Sequence, residues 1–156
     1  MRKLISATAV CAVAVGLVAV PGALAVKSPK QVGGTVSIAV APNPLPNATT
    51  TVTANGNVAS NSSCRKDRTL HFYWVTNGVQ GPEVATTTTR SNGDYAATVP
   101  RPTDRAPTTN TNVLRVNVDQ VTRKVGSKKK GKKTKRGRRF DCLALTADSP
   151  PITLIP

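Results

Sequence analysis

Apolar side chains alternate with polar ones along much of this chain. The segment 113–119, VLRVNVD, places Leu114, Val116 and Val118 on one face of an extended strand. No stretch after residue 26 repeats its apolar residues with the period of about 3.6 that an amphipathic helix needs. Thr and Val are abundant, and 12 prolines interrupt the chain. Together these features predict an all-β protein. The strands are predicted at 35–40, 49–54, 68–75, 83–90, 94–100, 113–119 and 140–145, with a short one at 152–155.

Clusters of Asn, Gly and Pro separate these segments and contain the residue types that β-turns require. They lie at 42–47, 55–56, 77–82 and 91–94. The Asn-Gly pair within 91–94, between two alternating runs, is typical of a β-hairpin. About seven short strands joined by such turns predict an antiparallel β-sandwich of immunoglobulin-like or prealbumin-like architecture. A β-barrel is the alternative.

The N-terminus has the features of a secretory signal peptide. Basic residues at 2–3 precede an uncharged run at 4–20, and a Pro-Gly pair then leads to the small-residue sequence Ala-Leu-Ala at 23–25. An uncharged run of about twenty residues also suits a membrane anchor, which is the alternative. We expect residues 1–25 to be cleaved, leaving one domain at 26–156 with no transmembrane span. The expected location is extracellular, either free or associated with the cell surface.

The cysteines predict one disulfide bond. Cys11 lies in the predicted signal peptide, so Cys64 and Cys142 form an even pair in an oxidising compartment. They are 78 positions apart. Closing a loop of that length is expected to stabilise the fold by roughly 4 to 5 kcal/mol through the entropy of the unfolded chain.

Two segments resemble a known group of modules. CRKDRTLHFYWV at 64–75 and TTTTRSNGDYAATVP at 86–100 have the form of an extended strand, a Thr-rich strand, an Asn-Gly-Asp-Tyr turn and a closing strand. They resemble bacterial extracellular β-sandwich modules with carboxypeptidase-regulatory-like or transthyretin-like folds, over about residues 64–100. The resemblance implies a non-catalytic accessory or adhesive module.

Positive charge is concentrated in one segment. The chain has a net charge of +15 from 22 Lys and Arg and 7 Asp and Glu residues. Eleven of the basic residues, and no acids, lie within 123–139; two more lie in the predicted signal peptide, which leaves nine against the seven acids. The segment is rich in glycine and almost free of apolar side chains, so we expect a disordered loop at the tip of a hairpin. The candidate polyanion-binding residues are Arg123, Lys124, Lys128, Lys129, Lys130, Lys132, Lys133, Lys135, Arg136, Arg138 and Arg139.

Clustered Lys and Arg residues neutralise polyanions with strong salt dependence and little sequence selectivity. The expected partners are extracellular: a cell-wall polymer, an acidic polysaccharide or an anionic lipid surface. Sequence-specific nucleic-acid binding is not expected, and the run contains no aromatic residues on which bases could stack. One alternative is a purely structural or matrix domain whose basic loop is a solvated spacer. Another is a carbohydrate-binding accessory protein that uses Tyr73, since Phe72 and Trp74 are expected in the core.

Little in the sequence points to catalysis or to a metal. His71 is the single histidine, the acids are scattered, and no nucleophile, phosphate-loop or zinc motif is present. Oxygen atoms of Asn92, Asp94 and Asp104 offer a weak candidate for calcium, without a dense acidic loop. We therefore expect neither enzymatic activity nor a cofactor, and no resident metal.

Overall fold

A computed structural model describes residues 28–46, 48–102, 111–126 and 138–155, and these contain ten strands and no helix. In chain order the strands are β1 (Lys30–Val32), β2 (Thr35–Ala41), β3 (Thr51–Ala59), β4 (Thr69–Thr76), β5 (Val79–Thr88), β6 (Asp94–Pro100), β7 (Asn112–Val118), β8 (Val121–Val125), β9 (Arg138–Cys142) and β10 (Leu145–Asp148). The predicted signal peptide at 1–25 lies outside the described residues.

Seven of the strands form two larger sheets. One has the order β10-β7-β4-β5 and the other β2-β3-β6, and all pairs within them are antiparallel. The sheets share one core and approach each other at both lateral edges, where β10 meets β2 and β5 meets β6. The predicted all-β, sandwich-like fold is confirmed. The strand count exceeds seven because a third sheet, β1-β9-β8, is added at one end, with β1 parallel to β9.

The core consists of the apolar side chains that the period-two pattern predicts on the inner faces of the strands. Leu114, Val116 and Val118 of β7 are buried, as are Phe72 and Trp74 of β4. The indole Nε1–H of Trp74 donates to the Pro100 carbonyl at 2.9 Å, so its polar group is also satisfied. The expected place of these aromatics in the core is confirmed.

Val75 departs from the expected pattern of burial. The sequence pattern puts it on the outer face with His71 and Tyr73, yet it is buried. The extra residues in the irregular pairing of β4 with β5 lie in β5. β4 stays in register with β7 through Val75, which pairs with Val113, so Val75 keeps the outer face and is buried there.

The expected turn at 55–56 is wrong, because β3 runs straight through it. Gly56 pairs with Tyr95 on one side and with Ile38 on the other, and the Tyr95 hydroxyl donates to the Ser37 carbonyl at 2.6 Å. A Cβ atom at Gly56 would overlap the Ser37 carbonyl oxygen and crowd the Tyr95 hydroxyl. The glycine therefore serves close approach within a sheet rather than a turn. Burial raises the pKa of Tyr95 above its ordinary value.

Three more segments differ from the prediction. The turn expected at 77–82 contracts to Asn77-Gly78, whose φ angles of 51° and 81° are both left-handed. The strand expected at 140–145 is divided, because β9 ends at Cys142 and β10 begins at Leu145 in a different sheet. In place of a strand at 152–155, the structure has isolated bridges that bury Ile152 and Leu154. None of the described residues forms a helix long and apolar enough to cross a membrane.

Candidate functional site

The basic run at 123–139 begins in one strand of a β-hairpin and ends in the other. Arg123 and Lys124 lie in β8, and Arg138 and Arg139 lie in β9, with Lys124 opposite Arg139 in the antiparallel register. The ends of the predicted loop are therefore paired strands, because β8 and β9 form a ladder as far as Val125 and Arg138. The remaining predicted binding residues, Lys128, Lys129, Lys130, Lys132, Lys133, Lys135 and Arg136, lie outside the described residues.

A disulfide attaches this hairpin to the sandwich. Cys64 and Cys142 are fully buried and bonded, with their Cα atoms 5.4 Å apart, within the normal range for a disulfide. Cys142 is the last residue of β9 and pairs with Val121 of β8. The predicted bridge is thus present, and it joins the base of the basic hairpin to the turn before β4.

Arg123 makes a second attachment. Its Nη2 group donates to the carbonyls of Lys66 and Asp67, at 2.8 and 2.7 Å, and its Nη1 group lies 4.0 Å from the Asp67 carboxylate. The sequence marked Arg123 only as a ligand for polyanions. In the fold its guanidinium also holds β8 against the segment 65–67.

Arg68 is a buried arginine that the sequence did not identify, and only 2% of its surface is exposed. Nε donates to the Asp119 carbonyl at 3.0 Å, Nη1 to the Cys64 carbonyl at 3.0 Å and Nη2 to the Leu143 carbonyl at 2.8 Å. Nη2 also donates to the Asp119 carbonyl. Burial, and then the nearby charge of Arg123, lower the pKa of Arg68, and Asp119 offsets this in part. Arginine remains charged even when its pKa is lowered. The Arg68 guanidinium therefore keeps all of its hydrogen bonds to the three carbonyls, which lie where the chain passes from one sheet to another.

Beside the hairpin lies an open groove of about 430 Å³. One wall is formed by Ser62, Ser63 and Lys66, and the other by residues 123–126 of β8 and its end. Lys66 and Lys124 are both exposed. Lys66 and the adjacent Arg65 belong to the run CRKDR. The sequence pattern did not predict that this run lies beside the basic segment. The predicted disulfide was the available signal, because it brings the neighbours of Cys64 next to those of Cys142.

A second cluster lies on the outer face of the four-stranded sheet. The Nδ1 atom of His71 lies 2.9 Å from Glu83 Oε2, and its Nε2 atom lies 3.2 Å from Asp119 Oδ2. These residues are 12 and 48 positions from His71 and meet through the pairing of β4 with β5 and β7. Both ring nitrogens face carboxylates, so the protonated imidazolium can donate to each.

The carboxylates control the protonation of His71. Desolvation acts to lower its pKa, but the hydrogen bonds to Asp119 and Glu83 outweigh it and the pKa is raised. The pKa of Glu83 is lowered by the hydrogen bond from Thr86 and then by that from His71. Desolvation and then the charge of Glu83 raise the pKa of the half-buried Tyr73. The arrangement is an ion-pair cluster on a sheet surface.

We expect the stability of the protein to fall as pH rises above 6.5, the ordinary pKa of histidine. The folded state favours protonated His71, so its contribution is fully present below the ordinary value of 6.5 and is lost as pH rises through the raised pKa. The free energy of unfolding, measured by urea denaturation from pH 5.5 to 8.5, checks this expectation. His71→Gln should flatten the slope, and an unchanged slope in that variant would contradict the assignment.

The side-chain oxygens of the calcium candidate's described members accept hydrogen bonds within the protein. Asp94 Oδ1 accepts from Asn57 Nδ2 at 2.6 Å, and Asp94 Oδ2 accepts from Asn92. Asp104 lies outside the described residues. In the part of the chain that the structure describes, no three His, Cys, Asp or Glu side chains are placed to hold a metal ion.

Comparisons with known proteins found no counterpart: no protein-family model, no curated protein and no solved structure matches this chain.

Proposed function

We propose that this protein is a secreted, non-catalytic module that binds anionic polymers or surfaces outside the cell through its basic hairpin. The observation that carries the proposal is the convergence of eleven Lys and Arg residues on one hairpin whose base is attached to the sandwich. Such an attachment presents a dense positive segment without requiring the sandwich to change shape. The resemblance to accessory and adhesive modules is consistent with this role.

The distribution of acids supports the proposal. On the outer sheet face, Arg115 forms a bidentate ion pair with Asp148 at 2.7 and 2.8 Å, and His71 is held between its two carboxylates. Charges there largely neutralise one another. Around the hairpin, Asp141 accepts from the Thr122 hydroxyl at 2.7 Å and Asp67 lies 4.0 Å from Arg123. These two carboxylates do not neutralise the eleven basic residues of the run. The hairpin therefore has a large net positive charge and generates the positive field.

The salt dependence of binding tests the proposal. Replacing Lys129, Lys132 and Lys133 with Gln should reduce the slope of log affinity against log salt on heparin by about 2 to 3, because each neutralised anion contributes roughly 0.7 to 0.9. Immobilised heparin and a salt series from low to physiological ionic strength provide the measurement. Melting temperatures should stay unchanged.

The matched control removes the same number of charges outside the hairpin: Arg90→Gln, Arg101→Gln and Arg115→Gln. This variant should retain most of the slope. Equal slopes in the two variants would show that net charge, rather than the hairpin, attracts the polymer. Heparin binding that does not depend on salt would contradict the proposal altogether.

A further inference from the structure

The third sheet leaves one side of β8 uncovered in the described part of the chain. Its order is β1-β9-β8, so β9 has a partner on both sides, whereas β8 is paired only with β9. The two larger sheets approach each other at their lateral edges, which limits access there. β8 has five residues, Val121–Val125, against three in β1. An uncovered strand edge presents the backbone N–H and C=O groups of alternate residues to any extended chain beside it.

The groove beside the hairpin follows this uncovered edge. Arg123 and Lys124 are consecutive in β8, so their side chains point to opposite faces of the sheet. Both nevertheless line the groove, together with Val125 and Gly126. A space that is lined from both faces of a strand lies along the edge of that strand, and β9 already occupies the other edge. The opposite wall lies within residues 62–66, so the groove has room beside β8 for an added chain.

The two walls are held at a set separation. Asn61 Oδ1 accepts from the backbone N–H groups of Ser63 and Cys64, at 3.1 and 2.9 Å, which fixes the turn that forms the first wall. Cys64 is bonded to Cys142, and Cys142 pairs with Val121 at the start of β8. A chain that enters the groove therefore meets a preformed site, and preformed sites bind at a lower cost in conformational entropy.

Positive charge on both walls determines which chain the edge attracts. Lys66 and Lys124 are exposed, one on each wall, and among the described residues no Asp or Glu lines the groove. Arg123 is partly balanced by Asp67, since its Nη1 group lies 4.0 Å from that carboxylate. Two copies of this edge repel each other, because like charges on facing strands are unfavourable. A strand with carboxylate side chains is attracted instead, so the charges disfavour a second copy and select an acidic partner.

We infer that the edge of β8 binds an extended acidic segment of another polypeptide as an added strand, seated in the groove beside residues 62–66. In strand addition, main-chain hydrogen bonds provide the affinity and alternate side chains contact the walls. Carboxylates of the segment face Lys66 and Lys124, and an apolar side chain contacts Val125, which is 39% exposed. The inference goes beyond the proposed function, because main-chain hydrogen bonds select a polypeptide whereas charge alone attracts any polyanion.

Two peptides of equal charge test the inference. One is a capped hexapeptide of alternating Glu and Val, and the other is the same peptide with every backbone nitrogen methylated. Both carry the same carboxylates, but only the first can donate main-chain hydrogen bonds. At one low ionic strength the first should bind the unmodified protein about tenfold to a hundredfold more tightly, because each hydrogen bond contributes roughly two- to tenfold in affinity. Fluorescence anisotropy of the labelled peptides measures both affinities.

Two protein variants with equal loss of charge locate the site. The edge variant is Lys66→Gln with Lys124→Gln, and the matched control is Arg90→Gln with Arg115→Gln, on other surfaces. The edge variant should bind the hexapeptide about fivefold to tenfold more weakly, and the control should lose less than about twofold. Both groove lysines are exposed, so the edge variant should fold, and thermal melting verifies this. In the unmodified protein, the bound hexapeptide should slow amide hydrogen exchange at alternate residues of β8.

Equal binding of the two peptides would overturn the inference, because attraction by charge alone does not require main-chain donors. Equal losses in the two variants, unchanged exchange in β8 or no binding of the hexapeptide would overturn it as well. None of these results affects the proposed function, which is tested by salt-dependent binding to heparin. Failure of the proposed function has a different signature: the unmodified protein would bind the hexapeptide but would not bind heparin at low salt.

Discussion

Replacing Cys64 and Cys142 together with alanine should lower the free energy of unfolding by about 4 to 5 kcal/mol. The bond closes a loop of 78 residues, and its loss returns that conformational freedom to the unfolded chain. Both cysteines are fully buried, so small cavities add to the cost. Domains of this size are stable by only about 5 to 15 kcal/mol, so the variant should be close to its unfolding threshold.

Urea denaturation of the oxidised protein, the reduced protein and the double variant measures this effect. Both lack the bond, and the variant should lose slightly more than the reduced protein because only the variant has the cavities. If the variant is unfolded in plain buffer, an osmolyte such as sucrose restores a measurable transition. A loss below about 1 kcal/mol would mean that strain in the folded state offsets the gain from closing the loop.

Replacing Arg68 with Met should cost about 3 to 5 kcal/mol, as expected when one member of a buried polar network is removed. Methionine fills much of the volume but donates no hydrogen bond, so the buried carbonyls of Cys64, Asp119 and Leu143 lose their partner. These carbonyls belong to three separate connections between strands. Chemical denaturation at neutral pH measures the loss.

Arg115→Met is the matched control, because it removes an arginine that is paired on the surface. Its ion pair with Asp148 is partly exposed, and such pairs contribute about 0 to 1 kcal/mol. If both variants lose the same small free energy of unfolding, the hydrogen bonds of Arg68 do not stabilise this region more than a surface ion pair does. Because Arg68 contacts the Cys64 carbonyl, its effect should not add to that of removing the disulfide.

The sequence predicted the buried faces of strands well where period two was uninterrupted. Leu114, Val116 and Val118 are buried as expected, because successive side chains in a strand point to opposite faces. Val75 and Gly56 escaped the same reasoning. The first is buried on the outer face, opposite Val113 of β7, and the second is enclosed by the Tyr95 hydroxyl and the Ser37 carbonyl of neighbouring strands. Both exceptions depend on residues distant in sequence.

The candidate site could be predicted only in part for a related reason. The concentration of charge in 123–139 and the pairing of Cys64 with Cys142 are local or countable features. Nothing in the sequence around Arg68 distinguishes a buried guanidinium from a solvated one. Lys66 likewise becomes part of a groove only because β8 lies beside it.

By itself the sequence determined the all-β class, the faces that form the core and the disulfide, because alternation and cysteine number depend on residues near one another or on simple counting. Only the tertiary structure decided where β9 ends and β10 begins, which carbonyls Arg68 satisfies and which carboxylates flank His71. Those contacts join residues as far as 75 positions apart, as in the bond from Arg68 to Leu143. They are set by strand order and register, which one strand's own pattern does not contain.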